Sequence, residues 1–178
     1  EIGWCDWSSD VCSSDLLKKR GFEEGKNLTI DRQNAQADQS NLQNIGQRFL
    51  SNKVDLIYAI ATPAAQTMAS LTKEVPIVGS AITDYVGANL AVSNEAPKGN
   101  VTGTSDMSPI KAQIDLLQKL YPNAKTIGTI YCSSEVNSEV QVKAMKEYAE
   151  SKGLKVETAT ISTVGRSEER RVGKECRS

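Results

Sequence analysis

The chain has 178 residues, 39% hydrophobic and 24% charged, with a net charge of −1 at pH 7. That length suits one domain or two small lobes, the composition is that of a globular protein, and near-neutrality offers no footing to nucleic acid or an anionic membrane surface. Histidine is absent, which removes histidine-based triads and most zinc sites, and no apolar run approaches the ~20 residues of a membrane span.

The first stretch, "DWSSDVCSSDL" at Asp6–Leu16, carries no apolar pattern that could join a core, and the last, "RSEERRVGKEC" at Arg166–Cys176, mixes charges of both signs without periodicity. Both can be spelled in codons that look like the two partner adapters of a sequencing library. The expectation is that residues 1–16 and 166–178 are non-native tails that pack against nothing, flanking an internal fragment. Three of the four cysteines (Cys5, Cys12, Cys176) lie in these ends, so no disulfide framework is expected, and the interior keeps Cys132 alone. The N-terminus shows no signal peptide, which says nothing about localisation if the chain is a fragment.

Between them the chain alternates regularly. "LKKRGF" reads as a helix end with Gly21 as its cap. "NLTIDRQNA" reads as a strand over Leu28–Gln33, followed by a helix with Asp38 or Ser40 as its N-cap and Leu42, Ile45 and Phe49 at helical spacing. "DLIYAIA" is a continuous apolar run of strand length, as in a parallel strand covered on both faces. The helix "PAAQTMASL" has Pro63 in its first turn. "VPIVGSAI" and "NVTGTS" are the next strands. A second cycle opens with "PIKAQIDLLQKLYP", with Ile110, Ile114, Leu117 and Tyr121 on one stripe, a helix expected to bridge two sheets. Strand "TIGTIYC", helix "NSEVQVKAMKEYAESKG" ended by Gly153, and strand "KVETATIS" complete it. Strand and helix in this alternation mean an α/β fold of parallel sheets with right-handed crossovers.

No phosphate-cradling glycine motif is present, and Cys132 at a strand end reads as core rather than nucleophile, so no catalytic residue, metal ligand or cofactor is expected. Two loops stand out because each follows an apolar strand and opens a helix: "IATPAAQ", Ile60–Gln66, and "YCSSEVNSEV", Tyr131–Val140. Ligands of open parallel sheets sit at that edge, and the free N–H groups of a helix's first turn suit a carboxylate. Thr62 in the first loop, and Ser133, Ser134, Asn137 and Ser138 in the second, read either as ligand contacts or as ordinary N-caps. "ITDYVG" adds Thr83 and Asp84 at the same edge; Asp84 either accepts from a ligand ammonium or caps a turn.

The segments "VDLIYAIATPAAQTM", "PIVGSAITD", "GNVTGTSDMSPIKAQIDLL" and "YCSSEVNSEVQVKAMKEYAESKGLKVE" resemble, in order, substrate-binding proteins of ABC importers, some of which take up tryptophan or tyrosine. The resemblance covers essentially Leu17–Val164. It implies a type 1 periplasmic-binding-protein-like α/β fold of two lobes, parallel sheets with helices on both faces, and the second lobe incomplete. An N-terminal lobe over 17–108 would lack its first strand, the start of a C-terminal lobe would occupy 109–165, and Thr104–Pro109 would cross between them. It further implies an extracytoplasmic protein held by a lipid anchor that the fragment lacks, delivering an amino-acid-like ligand to an ABC permease, without enzymatic activity. The ligand would touch Thr62, Pro63, Ala64, Thr83 and Asp84 from one lobe and Ser134, Glu135 and Asn137 from the other. "ITDYVG" departs from the family's "VTDPVG" in having Tyr85 for proline. The same fold class also serves as the effector domain of LacI-like repressors and in other flavodoxin-like domains; a basic DNA-binding segment upstream would favour the repressor reading, and none is visible.

Overall fold

The computed structural model describes residues 15–36 and 38–161; the expectations for residues 1–14 and 166–178 lie outside them. The chain divides into two compact units, one up to Asn52 and one from Lys53 onward.

In the first unit, residues 15–19 are helical and end at Gly21, whose φ of +88° sets the left-handed cap. Phe22 N–H reaches back to Leu17 C=O at 2.9 Å and Gly21 N–H to Lys18 C=O at 3.0 Å, the paired bonds of a Schellman ending. Helix α1, Gln39–Ser51, starts at Asp38, whose carboxylate accepts the Asn41 N–H at 2.8 Å; of the two cap candidates, Asp38 serves and Ser40 does not. The strand expected over Leu28–Gln33 does not form. Its alternation survives, with Leu28 and Ile30 half-buried and Thr29 and Asp31 exposed, but only a lone bridge to Glu24 pairs it. A strand exists through its ladder, and among the described residues no neighbouring strand supplies one.

The second unit holds two parallel sheets. Strands β1 (Ile57–Ile60), β2 (Ile77–Ile82) and β3 (Val101–Ser105) pair in that order. Strands β4 (Thr126–Cys132) and β5 (Lys155–Ile161) form a separate ladder of seven residue pairs. Helix α2, Thr62–Leu71, joins β1 to β2 and contributes Ala65, Met68 and Ala69 to a core with Ile57, Ile77, Ile82 and Val101. β1 is covered on one face: Ile57 and Ala59 are buried while Tyr58 and Ile60 are exposed, so the both-faces burial read from its apolar run is not met among the described residues.

Helices α3 (Ile110–Leu120) and α4 (Val136–Ser151) pack with the second sheet around Ile114, Ala149 and Leu154. The expected bridging role of α3 is therefore corrected: its buried residue Ile114 belongs to the second core. Tyr121, placed on its apolar stripe by spacing, is 68% exposed, because the helix stops before it and Tyr121 becomes the C-cap at φ −129°. α3 is pinned to α4 by Asp115, which accepts from the Tyr148 hydroxyl at 2.9 Å and from Lys152 at 3.0 Å. Helix α4 ends as the spacing of Gly153 predicts, with Leu154 N–H bonded to Ala149 C=O at 3.0 Å.

Candidate functional site

Three strand ends feed the site. β1 stops at Ile60 and α2 begins at Thr62, so Ala61 alone makes the turn. Ala61 is the N-cap, which leaves Thr62 as the first helical residue and not the cap its sequence position suggested. Thr62 is 2% exposed, and its Oγ1 has no hydrogen-bond partner among the described residues. Pro63 follows in the first turn, where a missing N–H costs nothing, and its carbonyl accepts from the Thr67 hydroxyl at 2.9 Å. Ala64 is half-buried against the first core.

β2 is the neighbouring strand, with Ile60 opposite Ser80, so the segment after it emerges beside Ala61–Thr62. Its last turn is irregular: the register with β3 shifts between Gly79 and Ile82, and Ala81 sits at φ +54°. Thr83, which follows, is buried, and its carbonyl accepts from the Ser105 hydroxyl at 2.8 Å. Asp84 caps a turn, its Oδ1 accepting from Val86 N–H at 3.0 Å, which meets the structural half of the two readings offered for it. Its other oxygen lies beside Gly87, where an added Cβ would stand 2.6 Å from Oδ2.

Tyr85, which stands where the family pattern has proline, locks this loop. Its ring is buried, and its hydroxyl donates to Gly79 C=O at 3.0 Å, with Thr104 C=O at 3.4 Å. The hydroxyl enters a notch that exists because residues 79 and 103 are both glycine; a Cβ on Gly79 would stand 2.6 Å from it. Burial raises the Tyr85 phenol above the ordinary tyrosine value, and the charge of Asp106 and the Tyr58 phenol add to this. Gln66, the last residue of "IATPAAQ", donates to Ala88 C=O at 3.0 Å and so ties α2 to the same loop.

The second contribution comes from β4 and α4. Ser134 is exposed, with its hydroxyl 3.1 Å from the Cys132 thiol. Glu135 is the N-cap of α4 without a side-chain cap bond; its carboxylate accepts from the Ser138 hydroxyl at 3.1 Å. Asn137, two residues on in the first turn of α4, has a buried Oδ1 with no hydrogen-bond partner among the described residues. One turn along, Gln141 Nε2 reaches Thr83 Oγ1 at 3.4 Å, and Val140 lies 3.3 Å from where a Cβ on Gly87 would be. The Asn137–Gln141 stretch of α4 is thus brought to the Thr83–Gly87 loop.

Thr62, Thr83 and Asp84 follow strands β1 and β2 of one sheet, and Asn137 lies in the first turn of α4 after β4. Ser134 is at the exposed margin. Sequence reasoning gave no role to Ala61, Tyr85 or Gln141; a tyrosine flanked in space by two glycines is a signal only once the register of β2 and β3 is known. Two oxygens that would ordinarily be satisfied are buried without partners, and both belong to residues singled out from the sequence. Buried polar atoms are overwhelmingly hydrogen-bonded, so each of these oxygens is open to a partner that the described residues do not supply. The side chains present are hydroxyls, an amide and two carboxylates, with the first-turn N–H groups of two helices. That set suits a zwitterion: helix N-termini for a carboxylate and Asp84 for an ammonium.

Comparison with known proteins gives the same direction. A family model described as ABC transporter substrate binding protein matches residues 13–168. The tyrosine-binding protein of Clostridioides difficile (strain R20291) is 47% identical over 147 residues, 83% of this chain and 43% of that protein. The structure of an ABC domain from Streptococcus pneumoniae in complex with L-Trp is 42% identical, with a TM-score of 0.83 over 91% of this chain and 55% of that one. A conserved domain protein from Vibrio cholerae is 38% identical, with a TM-score of 0.84 over 88% of this chain and 53% of that one. The chain thus spans about half the length of the relatives it matches.

Proposed function

We propose, from the premise that this chain belongs to the ABC transporter substrate-binding protein family, that it contributes to the capture of a small amino acid with an aromatic side chain. The fold is the type 1 periplasmic-binding-protein-like α/β arrangement of its structural neighbours. The observation that carries the reading is the pair of unpartnered buried oxygens, Thr62 Oγ1 and Asn137 Oδ1, at the starts of α2 and α4. In this reading the ligand carboxylate lies against the first turn of α2, where helix geometry leaves the N–H groups of Thr62 and Ala64 without intrahelical acceptors. Thr62 Oγ1 donates to it. The ammonium faces Asp84 and Asn137 Oδ1, and Thr83, Ser134 and Glu135 complete the surround. The names of the tyrosine- and tryptophan-binding relatives support the aromatic side chain.

In this reading the chain binds and does not catalyse: it has no histidine, Cys132 is buried with its thiol beside the Ser134 hydroxyl, and the Glu135 carboxylate is taken up by the Ser138 hydroxyl. The whole protein acts outside the cytoplasm, delivering its ligand to an ABC permease. No helix among the described residues is long and apolar enough to cross a membrane, and membrane attachment in this reading is through a lipid anchor. The division into lobes falls near Ser108–Pro109, since the first core ends at Val101 and the second begins at Ile110.

Calorimetric titration of the full-length protein with L-tyrosine, L-tryptophan, L-leucine and 4-hydroxybenzoate tests this. The aromatic amino acids should bind, and 4-hydroxybenzoate, which lacks an ammonium, should not. Asp84→Ala should weaken binding by about 2–5 kcal/mol, the cost of leaving a buried ammonium unpaired. Asp84→Asn, which keeps an acceptor for Val86 N–H, separates charge from turn geometry: it should fold like wild type and bind as poorly as Asp84→Ala. Binding of none of these compounds would overturn the ligand class.

A further inference from the structure

We infer that Ala61 is a positioning residue: its strained backbone holds the first turn of α2, and with it the Thr62 hydroxyl, in ligand-binding geometry. The inference rests on the binding role of Thr62 proposed above and adds the residue that sets it in place.

Ala61 lies at φ +76°, ψ +153°. That combination belongs to a region essentially confined to glycine, and a residue with a Cβ persists there only when its surroundings over-determine it. Two bonds do so here. The Ala61 N–H donates to Ser80 C=O at 3.0 Å, and its own carbonyl accepts from Ala65 N–H at 3.2 Å. One residue is at once the last donor of the sheet and the first acceptor of the helix. With β1 ending at Ile60 and α2 starting at Thr62, no further residue is available to spread the turn.

The other non-glycine residues of positive φ, among them Lys53 and Ala81, lie between +52° and +57°, the ordinary left-handed region. Ala61 stands apart from them. Its strained turn leads directly into Thr62, which is 2% exposed with an unpartnered hydroxyl. Strain and the orphan hydroxyl are separate observations about adjacent residues, and they have one explanation. A relaxed turn would let the first helical turn rotate its hydroxyl toward an available carbonyl; the strained one keeps it unspent. Holding a donor in place before the ligand arrives improves affinity by removing an ordering cost.

The test compares wild type, Ala61→Gly, and Lys53→Gly as a control for strain relief elsewhere. Each is measured by thermal melting, by hydrogen exchange at the amides of Ala65 and Gln66, and by titration of the full-length protein with L-tyrosine and L-tryptophan. Ala61→Gly should melt above wild type, exchange at those amides about five-fold faster or more, and bind at least about five-fold more weakly. Lys53→Gly should leave exchange and affinity at wild-type values. A purely structural Ala61 would give the higher melting point with wild-type exchange and affinity, and that result overturns the inference; so does a lower melting point. If wild type binds neither amino acid, the functional reading falls, and the exchange rates alone decide on Ala61: faster exchange upholds its hold on the turn, and unchanged exchange refutes it.

Discussion

Thr62→Val replaces a hydroxyl by a methyl of nearly the same shape at a position 2% exposed. In the ligand-free fold that hydroxyl has no partner among the described residues, so the native state carries the desolvation penalty of an unsatisfied polar group, roughly 1–3 kcal/mol. Valine is free of this penalty. Threonine and valine have similar helix propensity and are both stiff at χ1, so little is lost in exchange. Taking the low end, because a new methyl does not pack perfectly, the variant gains about 1 kcal/mol, which raises Tm by roughly 2–4 °C for a chain of this size. Binding moves the opposite way. A hydrogen bond to a charged carboxylate contributes about 1.5–3 kcal/mol, so affinity for L-tyrosine should fall roughly 10- to 150-fold. Differential scanning calorimetry reads the first effect and isothermal titration the second. A lowered Tm would mean that the hydroxyl is satisfied in the folded protein, and an unchanged Kd would place it outside the site. Either result refutes the reasoning.

Tyr85→Phe removes the bond to Gly79 C=O and should cost about 0.5–1.5 kcal/mol in chemical denaturation; Gly79→Ala, which drives a Cβ into the same hydroxyl, should cost more, about 1–3 kcal/mol, and a smaller loss than in Tyr85→Phe would contradict the notch. Lys152 and the Tyr148 hydroxyl hold the Asp115 carboxyl below the ordinary aspartate value, so the contribution of this exposed pin is complete above about pH 5 and is lost as pH falls through and below about 4. Melting curves from pH 7 to 3 should accordingly fall less steeply for Asp115→Asn than for wild type, and parallel curves would remove Asp115 from the acid response.

Much of the architecture is legible in the sequence because it rests on local signals. Apolar runs of strand length place β1, β2 and β4 within a residue or two, the alternation of strand and helix places β5, and Gly21 and Gly153 end their helices by the left-handed cap their positions require. What fails depends on partners. Leu28–Gln33 has the alternation of a strand, yet a ladder is a property of two segments, and the sequence of one does not reveal a missing other. Tyr58 and Ile60 have the hydrophobicity of covered residues and are exposed among the described residues. At the candidate site, Thr62, Thr83, Asp84 and Asn137 are legible as candidates because strand-to-helix junctions recur at one edge of a parallel sheet. Ala61 was invisible because alanine carries no signal for positive φ, and Tyr85 read as a missing proline until the two glycines opposite its hydroxyl were in place.

Each of the two cores in the second unit is contiguous in sequence, the first running from Val54 to Val101 and the second from Ile110 to Val156. Synthesis from the N-terminus therefore completes the first before the ribosome has made any of the second. Every crossover in it closes over a short stretch of chain, so it can condense while the rest is still being translated. The contact between Gln141 and Thr83 belongs to neither core. It needs both α4 and the Thr83 loop, so it cannot form until Gln141 has been made, well after the first core is complete. Protection of the Thr83 loop by α4 during synthesis would thus report progress into the second core, whereas the resistance of Ile57–Val101 to protease would report only the first.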